Sequence, residues 1–163
     1  MSLPTNLFKY PLPQWCLNRL DSGAFGTLGV GGGFALGAKL VRPDFQVWLV
    51  WGDGSCAYSV AEFDTFKRHG IPVIAIVGND ACWKQIEREQ VPMLGDDVGC
   101  PLEYSAYHDV AAGYGGVGLV ISSQDDDVVA TLKEAQDHES NGRSVLINVH
   151  IGSTTFREGS LSA

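Results

Sequence analysis

The chain has 163 residues, 45% of them hydrophobic and 18% charged, with a formal net charge of −8. That length suits one domain and its core rather than two, and the apolar content excludes a disordered chain. So acidic a chain lacks the clustered Lys and Arg that nucleic-acid binding draws on, and a diphosphate held by it needs a cation alongside.

Residues 1–22, rich in proline and ending in the Asp21-Ser22-Gly23 turn, read as an irregular lead-in. GTLGVGGGFALGAKL, Gly26 to Leu40, is glycine-dense yet apolar and predicts a helix packed closely against its neighbours, ending before Pro43. QVWLVW, Gln46 to Trp51, is a short apolar run of the kind covered on both faces in a parallel sheet. AYSVAEFDTFKRHG carries Tyr58, Ala61, Phe63 and Phe66 at roughly helical spacing, with Lys67, Arg68 and Gly70 as its stop. VIAIV, Val73 to Val77, is a second covered strand, so strand, helix and strand form a βαβ unit. YSAYHDVAAGYG then predicts a short helix, GLVI a strand, SQDDDVVATLKEAQDH a helix with acids in its first turn, and VLINVHI the strand that closes the sheet. The tail GSTTFREGSLSA is irregular. The alternation predicts an α/β, three-layer domain with a mainly parallel sheet over 23–152, a lead-in at 1–22 and a tail at 153–163.

Cys16, Cys56, Cys82 and Cys100 are widely separated and form no C-x-x-C pair, so they read as reduced thiols. No segment approaches the ~20 apolar residues of a membrane span.

In a parallel sheet, ligands bind beyond the carboxyl ends of the strands. Asp53 follows the first strand in the sequence GDG and Asn79 follows the next in GND, so neighbouring strands bring the two together. Carboxylate and amide oxygens are hard ligands suited to magnesium or calcium, and magnesium takes few protein ligands while phosphate and water complete its shell. Gly52 and Gly54 let the backbone approach an anion, and Ser55 lies at the start of the following helix, whose free N–H groups favour phosphate. A divalent cation with a diphosphate on its far side is the expected ligand.

GDGS followed by GND resembles the thiamine diphosphate motif. LDSGAFGTLGVGGGFALGAKL, WGDGSCAYSVAEFDTFKRHGIPV, VGNDACWKQIEREQVP and TTFREGS are similar to the C-terminal cofactor domain of 2-hydroxyacyl-CoA lyases, especially their acetolactate-synthase-like branch. The resemblance implies thiamine diphosphate and Mg2+ as cofactors, in a thiamine diphosphate-binding fold that here begins after the family's first helix and strand. It implies Asp53, Asn79 and the backbone carbonyl of Ala81 as magnesium ligands. It also implies that the Gly26 backbone accepts from the aminopyrimidine and that Leu28, next to Thr27, is the apolar wedge keeping the cofactor bent. The cofactor-binding set is then Gly26, Thr27, Leu28, Gly52, Gly54 and Ser55, with Trp83 either facing substrate or part of the core.

The reaction implied is cleavage or formation of the C–C bond next to a 2-hydroxyacyl-CoA carbonyl, giving an aldehyde and formyl-CoA. No catalytic residue is expected within this chain, because the family's glutamate comes from an N-terminal pyrimidine-binding domain of a neighbouring subunit. A homo-oligomer, an acyl-CoA or 2-oxo acid substrate, and a cytosolic or endoplasmic-reticulum-surface location follow by resemblance. Two rivals are an acetolactate-forming carboligase domain and a non-catalytic partner derived from a cofactor domain. His69, His108, His138 and His150 lack metal spacing, Glu62 and Asp64 face different directions on their helix, and Cys56 and Cys82 have no adjacent base, so none is nominated.

Overall fold

The computed structural model describes residues 19–124 and 126–153. The segment before Arg19 and the stretch TTFREGS lie outside the described residues. Four parallel strands, β1 (Trp48–Gly52), β2 (Ile74–Asn79), β3 (Val117–Ile121) and β4 (Val145–His150), lie in the order β1-β2-β4-β3. VLINVHI therefore does not border the sheet: β4 sits between β2 and β3. Gly52 pairs with Gly78 and Asn79 with His150, so the carboxyl ends of β1, β2 and β4 finish level with one another. This is the expected α/β class, and that level edge positions the site.

Helix α1 (Gly31–Val41) lies against β1 as the glycine run predicts. A Cβ on Gly31 would come 2.6 Å from Leu49 and collide with Trp51, and one on Gly32 would come 2.9 Å from Glu62. The helix starts later than Gly26, however. Residues Gly23–Phe25 form a 3-10 turn closed by the Gly26 N–H on the Gly23 carbonyl, and Gly26 and Gly29 have φ of 58° and 79°, which no right-handed helix accommodates.

The predicted helix of residues 57–70 is two helices, α2 (Asp53–Ser59) and α3 (Glu62–His69). α2 begins at Asp53 itself, Gly52 being extended, so the carboxylate stands in a helical first turn rather than in a loop. α3 buries Phe63 and Phe66 edge to face, with ring centroids 5.5 Å apart. Helix α4 (Lys84–Leu94) was not foreseen from the pattern: none of its residues is buried, so it lacks the core-facing stripe that periodicity detects. Helices α5 (Tyr107–Gly113) and α6 (Val128–Ser140) match expectation, and Asp127 caps α6 by accepting from the Ala130 N–H at 2.9 Å.

Two apolar clusters flank the sheet. One joins Ala35, Cys56, Phe63, Phe66 and Ala111 of the helices to Leu49, Trp51, Ala75 and Val77, and the other packs Ala135 and Leu132 of α6 on Ile74, Val145 and Ile147. The layers are therefore three. β1 departs from the expectation of cover on both faces: Trp48 and Val50 remain 39% and 44% exposed. The reason is topological, since β1 is an edge strand and α6 reaches only β2, β3 and β4. Under this edge Lys39 and Glu139 tie α1 to α6 by a buried ion pair of 2.7 Å, and Lys39 Nζ also donates to the Phe45 carbonyl at 2.7 Å. No helix among the described residues is long and apolar enough to cross a membrane.

Candidate functional site

At the level ends of β1 and β2 the structure brings Asp53 against the loop 79–82. Asp53 is 3% exposed, and its two oxygens accept from the Gly54 N–H at 2.8 Å and the Cys82 N–H at 3.2 Å. Burial raises its carboxyl above the ordinary carboxylate range, opposed by those backbone N–H groups. Asp80 is raised too, first by burial and then by the Asp53 charge, while Lys84 and the same Cys82 N–H work the other way. Two carboxylates thus converge on one backbone amide. The Asp53 charge makes Asp80 harder to ionise.

Asn79 stands beside Asp53 with its side chain turned inward. It is completely buried; Nδ2 donates to the Ser105 carbonyl and to Asn148 Oδ1, both at 3.2 Å, and Oδ1 accepts from the Ala81 N–H at 3.2 Å. The Ala81 carbonyl accepts from the Leu102 N–H at 2.8 Å. The Asn79 amide oxygen and the Ala81 carbonyl, the donors that spacing nominated on this loop, each accept one backbone N–H and keep a second lone pair. Ala81 has φ of 53°, a left-handed conformation uncommon for alanine, which marks the loop as held in place by its surroundings.

A Cβ on Gly54 would come 2.5 Å from the Trp83 ring, so the glycine makes room for the indole, and its N–H donates to Asp53. Trp83 in turn stands 6.1 Å from the Tyr58 ring, centroid to centroid, locking the loop onto α2. Cys56, completely buried behind Asp53, has its thiol pushed up to about 12 by burial and then by the Asp53 charge, so it packs as an inert thiol, as read from the sequence. Cys82 is pushed up to about 12 as well, by burial and by its hydrogen bond to Glu87.

Of the remaining nominated residues, Thr27, Leu28 and Ser55 line one cavity of about 760 Å³, together with Trp48 and Trp51 of β1. Gly26 immediately precedes that lining, and Gly52 ends β1 as the residue before Asp53. Ser55 links the two regions, being two residues from Asp53 and in the cavity wall. Among the described residues no group of three or more His, Cys, Asp or Glu side chains is placed to hold a metal.

The family described as thiamine pyrophosphate enzyme, C-terminal TPP binding domain, matches residues 5–149. The chain is 62% identical over 151 residues to 2-hydroxyacyl-CoA lyase 2 of Danio rerio, covering 92% of this chain and 24% of the relative. It is 56% identical to the Homo sapiens protein of the same name, with the same coverage, and 37% identical over 132 residues to an acetolactate synthase large subunit of Mycobacterium tuberculosis, covering 80% of this chain and 23% of that one. Among solved structures, a thiamine diphosphate-dependent 4-hydroxybenzoylformate decarboxylase of Rhodococcus jostii superposes with a TM-score of 0.67 at 25% identity, over 80% of this chain and 24% of the other. The chain thus spans about a quarter of the length of the curated relatives it matches.

Proposed function

The chain belongs to the thiamine pyrophosphate enzyme family as a C-terminal TPP binding domain, and from that premise we propose that it holds thiamine diphosphate through a divalent cation as part of a 2-hydroxyacyl-CoA lyase-type enzyme. The observation that carries the reading is the buried Asp53 carboxylate set against the 79–82 loop, where the ends of β1 and β2 finish level and the Cys82 N–H donates to it. The donor set fits magnesium: hard carboxylate oxygens at a strand end, with room for phosphate oxygens and water in the rest of an octahedral shell.

In this reading Asp53, the side-chain oxygen of Asn79 and the backbone carbonyl of Ala81 would hold the cation, and Asp80 adds negative charge beside them. Ser55 offers its place in the first turn of α2 to the diphosphate, and Thr27 and Leu28 line the apolar cavity that receives the cofactor's rings. When bound, thiamine diphosphate supplies the electron sink for cleaving or forming a C–C bond next to a carbonyl. The residues of this chain would hold the cation that offsets its charge, orient it and shield it from water.

The 62% identity to a lyase, against 37% to an acetolactate synthase, favours a 2-hydroxyacyl-CoA over pyruvate as the substrate of the assembled enzyme. The pyrimidine-binding N-terminal domain, in the same or another subunit, and a homo-oligomer complete the proposal, with this domain inactive by itself. Calorimetric titration tests the core of it: thiamine diphosphate should give saturable heat with Mg2+ present and little without. Equal heats with and without Mg2+, or heat unchanged in Asp53→Ala, would remove the cation bridge.

A further inference from the structure

We infer that Trp83 and Tyr58 are positioning residues, an aromatic spacer that sets the gap between the two halves of the cation site and so fits it to a small divalent ion. The halves are Asp53 at the start of α2 and the 79–82 loop after β2. The inference rests on the cation-binding reading above.

The two halves are joined by the Cys82 N–H, which donates to Asp53 at 3.2 Å. That bond ends on a carboxylate that can rotate, so it does not by itself fix how far apart the two backbones stand. Trp83 does. Its backbone is pinned from behind, because its N–H donates to the Cys100 carbonyl at 2.8 Å and Cys82 bridges Pro101. From that base the indole reaches across to α2 and rests on Gly54, where a Cβ would meet three of its ring atoms at 2.5, 2.5 and 2.7 Å. The ring then meets Tyr58, one turn further along α2, with centroids 6.1 Å apart and planes at 50°. Tyr58 in turn stands on Gly29, whose Cβ would collide with that of the tyrosine. Gly29, with φ of 79°, belongs to the segment leading into α1. Two aromatic rings seated on two glycines thus brace the three segments that carry the nominated cofactor and cation residues, 26–29, 52–55 and 79–83.

This pair is not core. Trp83 and Tyr58 belong to neither apolar cluster of the sheet, Trp83 is half-buried and Tyr58 is 68% exposed. Their placement matters for the ion instead. Magnesium takes oxygens at about 2.0–2.1 Å in a near-octahedral shell, whereas calcium takes them at about 2.3–2.6 Å in looser arrangements. Walls braced by rigid rings favour the first, and walls free to part by about 0.5 Å admit the second.

Titration of the whole chain with Mn2+, followed by electron paramagnetic resonance of the free ion with Mg2+ and Ca2+ as competitors, is the test, and melting temperature is measured in parallel. Trp83→Ala should weaken Mn2+ and Mg2+ binding about 10- to 100-fold, the range usual for residues that support metal ligands, and Ca2+ binding less, so that preference moves toward Ca2+. Trp83→Phe, which keeps a ring over Gly54, should restore the preference of the parent. Tyr58→Ala, at an exposed position, should move it the same way by a smaller factor. Ile147→Val, in β4 and packed toward α6, lowers the melting temperature and should leave the preference unchanged. An unchanged ratio of Mg2+ to Ca2+ affinity in Trp83→Ala overturns the inference and leaves the cation site standing; should that variant fail to fold, an unchanged ratio in Tyr58→Ala overturns it. An equal shift in Ile147→Val assigns the effect to general destabilisation and also overturns it. Absence of saturable Mn2+ binding by the unaltered chain overturns the cation-binding reading, and this inference with it.

Discussion

Opposite ends of β1 carry two groups of charges of opposite design. Below the strand, Lys39 meets Glu139 at 2.7 Å, with Phe45 and Gln46 supplying further hydrogen bonds, so opposite charges satisfy each other. Above it, Asp53 is buried and Asp80 half-buried; they are like charges, and the Asp53 charge raises the proton affinity of Asp80. The first pair is complete within the chain and links α1 to α6. The second is where the proposed function puts a divalent cation, and the contrast separates a pair that holds the fold from carboxylates that would hold a ligand.

Removing one partner should break the lower pair more severely than anything at the upper one. Lys39→Ala leaves the Glu139 charge buried and unpaired and is expected to destabilise the domain by about 3–5 kcal/mol, whereas replacing Lys39 and Glu139 together by Met and Leu should be close to neutral. Denaturant unfolding of both variants measures the difference, and equal losses would mean that the pair contributes through packing alone.

The upper pair should respond in the opposite sense. Asp53→Asn is expected to weaken divalent cation binding at least about 100-fold, the upper end of what supporting residues contribute. It should also raise the melting temperature of the metal-free protein at neutral pH. The sign follows from the raised carboxyl of Asp53: its ionised form is the one burial disfavours, so its destabilising effect appears as pH rises through the carboxylate range and vanishes at acid pH, where it is protonated. Melting curves of the two proteins should therefore converge as pH falls. A metal-free variant less stable than the parent at neutral pH would show that the hydrogen bonds to Gly54 and Cys82 outweigh the burial of charge.

A smaller effect sharpens the boundary between site and scaffold. Gly54→Ala forces a methyl into the Trp83 ring and is expected to destabilise by about 1–3 kcal/mol, with much of that recovered by adding Trp83→Leu. If the double variant regains stability but not cation binding, Trp83 is needed to hold the loop as well as to fill space.

Much of the architecture was legible because periodicity reports burial. Four apolar runs became the four strands, and α1, α3, α5 and α6 follow from residues that touch the core. What escaped follows the same physics. α4 buries nothing, so no stripe announced it, and the open face of β1 is a matter of strand order, which a run such as QVWLVW does not encode. Within the site, Asp53 could be found because a carboxylate between two glycines at a strand end is hard to explain otherwise. The hydrogen bonds that join Asn79 to Asn148 and Ser105 depend on which way side chains turn at the end of β2 and how β4 inserts beside it, and residue spacing carries no information on either.

The most direct measurement is the anomalous difference map of a crystal of this chain grown with Mn2+ and thiamine diphosphate. A single peak at the ends of β1 and β2, bonded to the Asp53 carboxylate, the Asn79 side-chain oxygen and the Ala81 carbonyl, is the predicted result. No peak there, or a peak that leaves Asp53 untouched, would contradict it.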